Sequence, residues 1–314
     1  MSVDERVQID VDGVTLRGWL RRPAGDDPQP LVVLTHGWAA VKELFLDDWS
    51  DALAAAGLAC LVYDHRNLGE SDGDPRQEID PMRQVADTRA AIDYARRLPG
   101  IDPDRIGLWG TSYSGGHALV VGAGDHRLGA VVAFVPTISG SRNSLRRYPG
   151  GALGELRRAF DADRTARAAG AAPRLVEVAE GLTDAAIAHD GDDVSEPVGN
   201  DGVAFFTAAG AWRLARWRNA VTLRSLELYD GYEPGSSIEK IAPTPLLVVA
   251  MTDDTVTPTD DLRAAYARAG EPKRLVELSG GHFDVYGIHR RAVAELAAAF
   301  LSDHLRAVAT STPD

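Results

Sequence analysis

Five apolar runs without polar alternation constrain the fold of this chain more than any other feature of its sequence. They lie at residues 31–34, 58–63, 105–109, 130–135 and 246–251. Stretches with apolar residues three and four apart lie among them, notably from Met82 to Leu98. A strand loses polar alternation when helices cover both of its faces, as in a parallel sheet. The alternation of strand and helix therefore predicts an α/β fold with a mostly parallel, doubly wound sheet.

Two segments depart from this alternation. Near the N-terminus, Asp12-Gly13 separates two short β-type runs, which predicts an antiparallel hairpin. Residues 137–240 contain helical stretches and a Gly/Asp-rich stretch at 190–202, but no convincing central strand. A connection of this length within a compact domain is typical of a lid or a small inserted domain.

We therefore expect a core formed by residues 1–136 and 241–309, a helical cap insertion at 137–240 and a frayed tail at 310–314. The alternative for the insertion is a flexible linker between two domains. Against a linker, the insertion contains aromatic residues that can form a buried core. The same residues could line a substrate pocket: Tyr148, Phe205, Phe206, Trp212 and Trp217.

The string GTSYSGG directly follows the apolar run that ends at Trp109. A nucleophile on a sharp turn from strand to helix needs small residues two positions to either side, because the strand and the helix nearly touch. Gly110 and Ser114 fill these places around Ser112. A register centred on Ser114 also lacks one glycine of the full pattern and stays open, but Ser112 stands closer to the strand end.

A second motif, His36-Gly37-Trp38, follows the early strand at 31–34. The backbone amide of Trp38 could there face the nucleophile and, with the amide of Tyr113, form an oxyanion hole. We expect His36 to brace this loop rather than to act as a base.

The base and the acid are predicted near the end of the chain. Asp254 follows the strand at 246–251 and precedes Pro258 by four residues, and His282 follows Gly280-Gly281 after a last predicted strand at 274–278. Serine, aspartate and histidine in this chain order form a catalytic triad on a doubly wound sheet. Asp253 is the alternative acid.

With these motifs the chain resembles the α/β-hydrolase family over nearly its whole length. The string YDHRNLGESDG is similar to the D-x-R-G-x-G-x-S segment of that family, with Asn67 in place of a glycine. We read Asp64 and Arg66 as supports under the site. The strings GTSYSGGH and SGGHFDVY resemble bacterial hydrolases related to the dienelactone hydrolases, which carry a cysteine nucleophile, and to polyketide-type hydrolases.

The elbow is also similar to that of the cocaine-esterase and X-Pro peptidase group. Because the chain ends soon after His282, without room for the added β-domain of that group, we expect the group to fit less well.

The amino-acid composition limits the kinds of binding partner that we expect. The 33 Lys and Arg residues against 46 Asp and Glu residues give a net charge of −13, which disfavours nucleic acid and anionic membrane surfaces. Cys60 is the only cysteine, and the chain starts without a signal-peptide pattern, so we expect a soluble, cytoplasmic protein.

The resemblance implies a serine hydrolase of a small-molecule ester, lactone or thioester that needs no cofactor and no metal. Two alternatives stay open: a cofactor-free oxygenase or perhydrolase of the same fold, and a non-catalytic ligand-binding member. A homodimer is a further open prediction, in which apolar residues of the cap would face a second subunit.

Overall fold

The computed structural model describes residues 4–25, 28–182 and 198–305. Its strands are β1 (Asp4–Val11), β2 (Val14–Arg21), β3 (Gln29–Thr35), β4 (Ala59–Tyr63), β5 (Ile101–Thr111), β6 (Ala130–Phe134), β7 (Leu175–Val176), β8 (Val221–Thr222), β9 (Leu246–Met251) and β10 (Lys273–Leu278). Its α-helices are α1 (Leu46–Ala55), α2 (Pro81–Ala95), α3 (Tyr113–Gly122), α4 (Gly140–Arg147), α5 (Ala152–Ala168), α6 (Gly202–Ala209), α7 (Leu223–Asp230), α8 (Thr259–Arg268) and α9 (Arg290–Leu305). Two 3-10 helices span Pro234–Lys240 and His282–Val285.

Eight strands form one sheet in the order β1-β2-β4-β3-β5-β6-β9-β10. β2 pairs antiparallel with β1 and β4, and the other neighbours are parallel. The predicted hairpin is confirmed: Val11 pairs with Val14, and Asp12 and Gly13 have φ angles of 45° and 80°.

Helices cover both faces of the sheet, as the apolar runs predict. Val32 and Leu34 pack in one hydrophobic cluster with residues of α1 and α9, whereas Leu31 and Val33 pack in a second with residues of α2, α3 and α8. Side chains alternate between the faces of a strand, so both faces of β3 must be apolar. The α/β-hydrolase arrangement expected from the motif order is confirmed.

The chain between β6 and β9, here called the inserted region (residues 137–240), contains α4 to α7 and the two-residue strands β7 and β8. β7 and β8 pair only with each other among the described residues. The segment Pro234–Lys240 returns to the core, because Ile238 packs in the second cluster. The tail at 310–314 and part of the stretch at 190–202 lie outside the described residues.

The single cysteine, Cys60, is a buried free thiol in β4. No helix within the described ranges is long and apolar enough to cross a membrane.

Candidate active site

Ser112 occupies the sharp turn between β5 and α3. β5 ends at Thr111 and α3 begins at Tyr113, and Ser112 between them has φ 55° and ψ −119°. A Cβ on Gly110 would lie 2.0 Å from the carbonyl oxygen of Ser114, so strand and helix touch here. This strained, close-packed turn is the geometry of a nucleophile elbow.

Ser114, the alternative nucleophile, lies inside α3 and is fully buried. Its Oγ is 2.9 Å from Nε2 of His65, a histidine beneath the elbow. A substrate cannot reach this hydroxyl without displacing the helix. The structure therefore favours the register centred on Ser112.

Three side chains meet at the carboxyl edge of the sheet. Oγ of Ser112 is 2.9 Å from Nε2 of His282, and Nδ1 of His282 is 2.7 Å from Oδ2 of Asp254. Asp254 follows the end of β9 and His282 follows the end of β10. A proton on Nδ1 donated to the carboxylate leaves the lone pair of Nε2 facing the hydroxyl, which is the tautomer a general base needs.

The turn after β9 holds the Asp254 carboxylate from both sides. Oδ1 accepts hydrogen bonds from the backbone amides of Val256 and Thr257, at 2.8 and 2.7 Å. The Thr257 hydroxyl lies 2.8 Å from Oδ2. Asp253, the alternative acid, is exposed, and its Oδ2 accepts from the hydroxyl of Thr252. The geometry therefore selects Asp254 as the partner of the imidazole.

The predicted oxyanion loop passes close to the nucleophile. A Cβ on Gly37 would lie 3.3 Å from Cβ of Ser112 and 3.7 Å from its Oγ, so a side chain at this position would press on Cβ of the nucleophile. Trp38 and Tyr113 line the same cavity as Ser112. Tyr113 is also the first residue of α3, where an amide has no carbonyl one turn earlier to bind. Both amides thus remain candidates for the oxyanion hole.

His36 braces this loop. Its Nδ1 donates to the carbonyl of Gly37 at 3.0 Å, and its Nε2 accepts from the amide of His65 at 3.1 Å. Burial lowers the pKa of His36 to about 4, which keeps the ring neutral.

The supports predicted beneath the site are polar and buried. Asp64 accepts from the backbone amide and the ammonium of Lys42, at 2.8 and 2.7 Å, which ties the far end of the oxyanion loop to β4. Nε of Arg66 donates to Asp87 at 2.7 Å. Asn67 has φ 69°, so it adopts the left-handed conformation of the glycine that it replaces.

A cavity of about 860 Å³ opens over the triad. Tyr148, Phe205 and Phe206, three of the five predicted pocket residues, lie in its wall. Its other apolar residues include Leu44, Leu156, Val203, Leu226 and Phe283. Its polar residues include Thr137, Asn143, Arg147, Asn200 and Tyr229. The site is therefore a cleft with apolar and polar residues in its wall, the latter including the charged residues Arg146, Glu180 and Asp201.

The prediction that Trp212 and Trp217 line this cavity is wrong for the wall formed by the described residues. Trp212 is 47% exposed, and the guanidinium of Arg213 lies over its ring. Trp217 is buried, stacks on Phe206 and donates from Nε1 to the carbonyl of Ala39 at 2.9 Å. Trp217 therefore serves packing behind Phe206, and Trp212 lies at the surface.

Two polar residues at the site were missed from the sequence. Thr257 stands three positions after Asp254, a spacing that favours a hydrogen bond from its amide to the carboxylate and could have revealed it. Asn200 carries no such signal, because it lies 82 residues before His282 in a region without strand periodicity.

A serine on an elbow after a central strand, an acid after β9 and a histidine after the last strand define an α/β-hydrolase with a serine nucleophile. The chain belongs to the X-Pro dipeptidyl-peptidase (S15) family, whose family model matches residues 12–190. The expectation that the X-Pro peptidase group fits less well is therefore wrong at the level of the family. The matched segment contains the elbow around Ser112, which is the part of the chain that resembles this group. The expectation that the group fits less well rested on its added β-domain, which is a separate part of those proteins.

Curated relatives match nearly the full chain. The quorum-quenching protein AidA of Acinetobacter baumannii is 32% identical over 89% of this chain and 88% of its own length. A thiohydrolase of Eupenicillium brefeldianum is 30% identical over 93% of this chain and 91% of its own length. The crystal structure of the α/β-hydrolase GrgF from Penicillium sp. sh18 has a TM-score of 0.76 at 25% identity, covering 97% of this chain and 99% of that one. The chain is therefore a serine hydrolase of the α/β-hydrolase fold.

Proposed function

We propose that this chain hydrolyses carboxylic esters, lactones or thioesters through an acyl-enzyme on Ser112. The observation that carries the proposal is the continuous hydrogen-bonded series from Ser112 through His282 to Asp254, open to the cavity. The thiohydrolase relative supports a thioester, and the α/β-hydrolase relatives support acyl chemistry in general.

In the first step His282 accepts the proton of Ser112 through Nε2 while Oγ attacks the substrate carbonyl. Asp254 accepts from Nδ1, holds the ring in this tautomer and stabilises its positive charge. The amides of Trp38 and Tyr113 bind the oxyanion, which becomes neutral again when the alcohol or thiol leaves with the proton from His282.

In the second step water enters and His282 accepts one of its protons. The oxygen attacks the acyl carbon, the tetrahedral intermediate collapses, and the carboxylic acid leaves as Ser112 regains its proton. No step needs a redox group, because only acyl bonds form and break.

The cavity indicates a bulky substrate. Its volume is in the range of sites that enclose a drug-sized molecule, larger than a short-chain ester needs. Phe205, Phe206 and Phe283 supply apolar contacts, and Asn143, which donates to the hydroxyl of Tyr229 at 2.8 Å, supplies a polar group. We propose an acyl group that is mostly apolar with at least one oxygen substituent.

Transfer of the acyl group to an acceptor other than water is a second candidate. The cavity has room for an acceptor beside the acyl group, and GrgF is also named a polyketide transferase, 30% identical over 88% of this chain. Mass spectrometry of products formed with added alcohols separates transfer from hydrolysis.

The test combines a fluorophosphonate probe with a panel of esters, lactones and thioesters of increasing acyl size. We expect labelling at Ser112, loss of labelling and turnover in Ser112→Ala, and labelling retained in Ser114→Ala. A wild-type chain that folds but neither labels nor turns over any substrate would support a ligand-binding member. Oxygen consumption or peracid formation that persists in Ser112→Ala would support an oxygenase or perhydrolase.

A further inference from the structure

We propose that Asn200, contributed by the inserted region, is a positioning residue of the triad. Its side-chain amide holds the loop that carries Asp254 and the loop that carries His282 at the separation their hydrogen bond requires. The inference rests on the proposed function and adds to it a residue that does not itself touch the reacting atoms.

One amide group binds both catalytic loops. Oδ1 of Asn200 accepts from the backbone amide of His282 at 2.9 Å and from that of Thr255 at 3.0 Å. Nδ2 donates to the backbone carbonyl of Asp253 at 2.8 Å. The bonds therefore reach the residues on both sides of Asp254 and the catalytic histidine itself.

The backbone next to Asn200 is fixed to the same histidine loop. The amide of Phe283 donates to the carbonyl of Gly199 at 2.8 Å, and the amide of Gly199 donates to Asp284 at 2.8 Å. A Cβ on Gly281 would lie 2.4 Å from the carbonyl carbon of Gly199, so the two backbones are in direct contact. These contacts fix the position of the Asn200 backbone and so aim its amide.

The loops have only a few other links to each other near the triad. The amide of Asp253 donates to the carbonyl of Gly280 at 2.9 Å, and the Gly280 amide lies 3.3 Å from Asp253 Oδ2. Both bonds lie on the exposed side of Asp253, before the catalytic residues. Asp254 and Thr257 contact Nδ1 of the His282 ring, and Asn200 adds a link to the backbone of the same residue. A displacement of about 1 Å at this position can cost about 100-fold in rate.

A neutral amide suits this place because one carboxylate already binds the imidazole and two others lie on the same two loops. Asp254 accepts from its Nδ1, Asp284 accepts from the amide of Gly281 on the same turn, and Asp253 lies on the neighbouring loop. A further negative charge at position 200 would stabilise the protonated ring and oppose its role as a base. Asparagine supplies two acceptor bonds and one donor bond without that charge.

Asn219 offers a matched control within the inserted region. Its Oδ1 accepts from the amides of Val178 and Ala179 at 3.0 and 2.8 Å, and its Nδ2 donates to the carbonyl of Ala179 at 2.8 Å. It is half-buried like Asn200 and makes the same three kinds of bond. None of its bonds reaches a catalytic loop, although Val178 and Ala179 belong to the cavity wall. Its substitution therefore reports the structural cost of losing such an amide without a change at the triad.

The test compares Asn200→Ala and Asn200→Asp with Asn219→Ala and Asn219→Asp. We expect Asn200→Ala to lower kcat and the rate of fluorophosphonate labelling by about 10- to 100-fold, with a much smaller change in KM. Asn200→Asp should also move the acid limb of the pH–rate profile to higher pH, because the added carboxylate favours the protonated imidazole. The Asn219 variants should lower the melting temperature to a similar extent with labelling rate and pH profile unchanged.

Equal labelling rates in Asn200→Ala and Asn219→Ala would overturn the inference and leave Asn200 a structural residue. An unshifted pH profile in Asn200→Asp, together with unchanged kcat, would do the same. Failure of the wild-type chain to label would instead remove the proposed function, so the two failures are distinguishable.

Discussion

The carboxyl edge of the sheet and the inserted region both contribute to the cavity wall, but they are held in place differently. Ser112 and Asp254 follow the buried parallel strands β5 and β9, and His282 follows the partly exposed edge strand β10. All three residues are less than 10% exposed. Within the inserted region, α5 and α7 are joined by ion pairs such as Arg157–Asp230 and Arg164–Glu227, whose arginines are 55% exposed. Exposed pairs of this kind contribute at most about 1 kcal/mol each.

Because of this difference, we expect the sheet edge to determine the chemistry and the inserted region to determine substrate specificity. The sheet fixes the reacting groups through backbone hydrogen bonds that few side-chain changes can disturb. The inserted region packs Phe205, Phe206 and Leu214 into the core cluster. It also contacts the loops of the site at two joints, Asn200 on the catalytic loops and Trp217 on the oxyanion loop. Substitutions at the sheet edge should therefore abolish turnover, whereas substitutions at the joints should reduce it.

The largest expected effect tests the sheet edge. Asp254→Asn should lower kcat by about 10⁴-fold, because an amide in place of the carboxylate no longer selects the tautomer that leaves Nε2 free to accept the proton of Ser112. Asp253→Asn should change kcat by less than about 10-fold, since that carboxylate does not reach the imidazole. Steady-state kinetics on any active ester measures both, and similar losses in the two variants would contradict the choice of acid.

A second prediction concerns three buried histidines beneath the elbow, His36, His65 and His117. Burial lowers the pKa of His36 to about 4, that of His117 to about 3 and that of His65 well below its usual value. The unfolded chain therefore binds more protons than the folded one below about pH 6.5. Stability should be full above that pH and fall as pH drops toward the folded-state values, by up to about 1.4 kcal/mol per pH unit for each histidine.

Chemical denaturation at pH 7, 6 and 5 measures this slope. His117→Gln removes one of these groups and should make the slope shallower, while His126→Gln, at an exposed position, should leave it unchanged. A slope identical in wild type and His117→Gln would mean that His117 does not titrate on unfolding in this range.

The difference between the sheet edge and the inserted region also explains which features could be predicted from the sequence. The sheet and the order of serine, acid and histidine follow from local patterns, because a buried strand needs apolar residues on both faces and an elbow needs small neighbours. The choice between Ser112 and Ser114 needed the structure, because the hydrogen bond of Ser112 to His282 and the burial of Ser114 within α3 decide it.

The inserted region resisted prediction for a physical reason. Its residues reach the site through long-range packing, so their spacing along the chain carries no period. Trp212 and Trp217 have the same residue type and lie five positions apart, yet one is exposed and the other is buried with its Nε1 bonded to Ala39. The role of Asn200 likewise depends on its hydrogen bonds to the backbone of two loops from a different part of the chain, which no local pattern reveals.

Trp217→Phe tests the joint at the oxyanion loop and should have the smallest effect. Phenylalanine keeps the stacking on Phe206 but removes the donor to the carbonyl of Ala39, which has φ 53° and directly follows Trp38. Loss of this bond should cost about 1 kcal/mol in stability and allow the loop to shift the Trp38 amide. We expect kcat to fall by roughly 10-fold or less, below the 100-fold or greater loss seen when an oxyanion donor is removed outright, with KM little changed.

Trp212→Phe is the control, because its ring lies outside the described cavity wall and is half exposed. Measured by thermal unfolding and steady-state kinetics, it should change neither kcat nor KM. If Trp217→Phe lowers the melting temperature but leaves kcat at the wild-type value, the oxyanion loop is held by the sheet alone, and the inserted region shapes the cavity without touching the chemistry on that side.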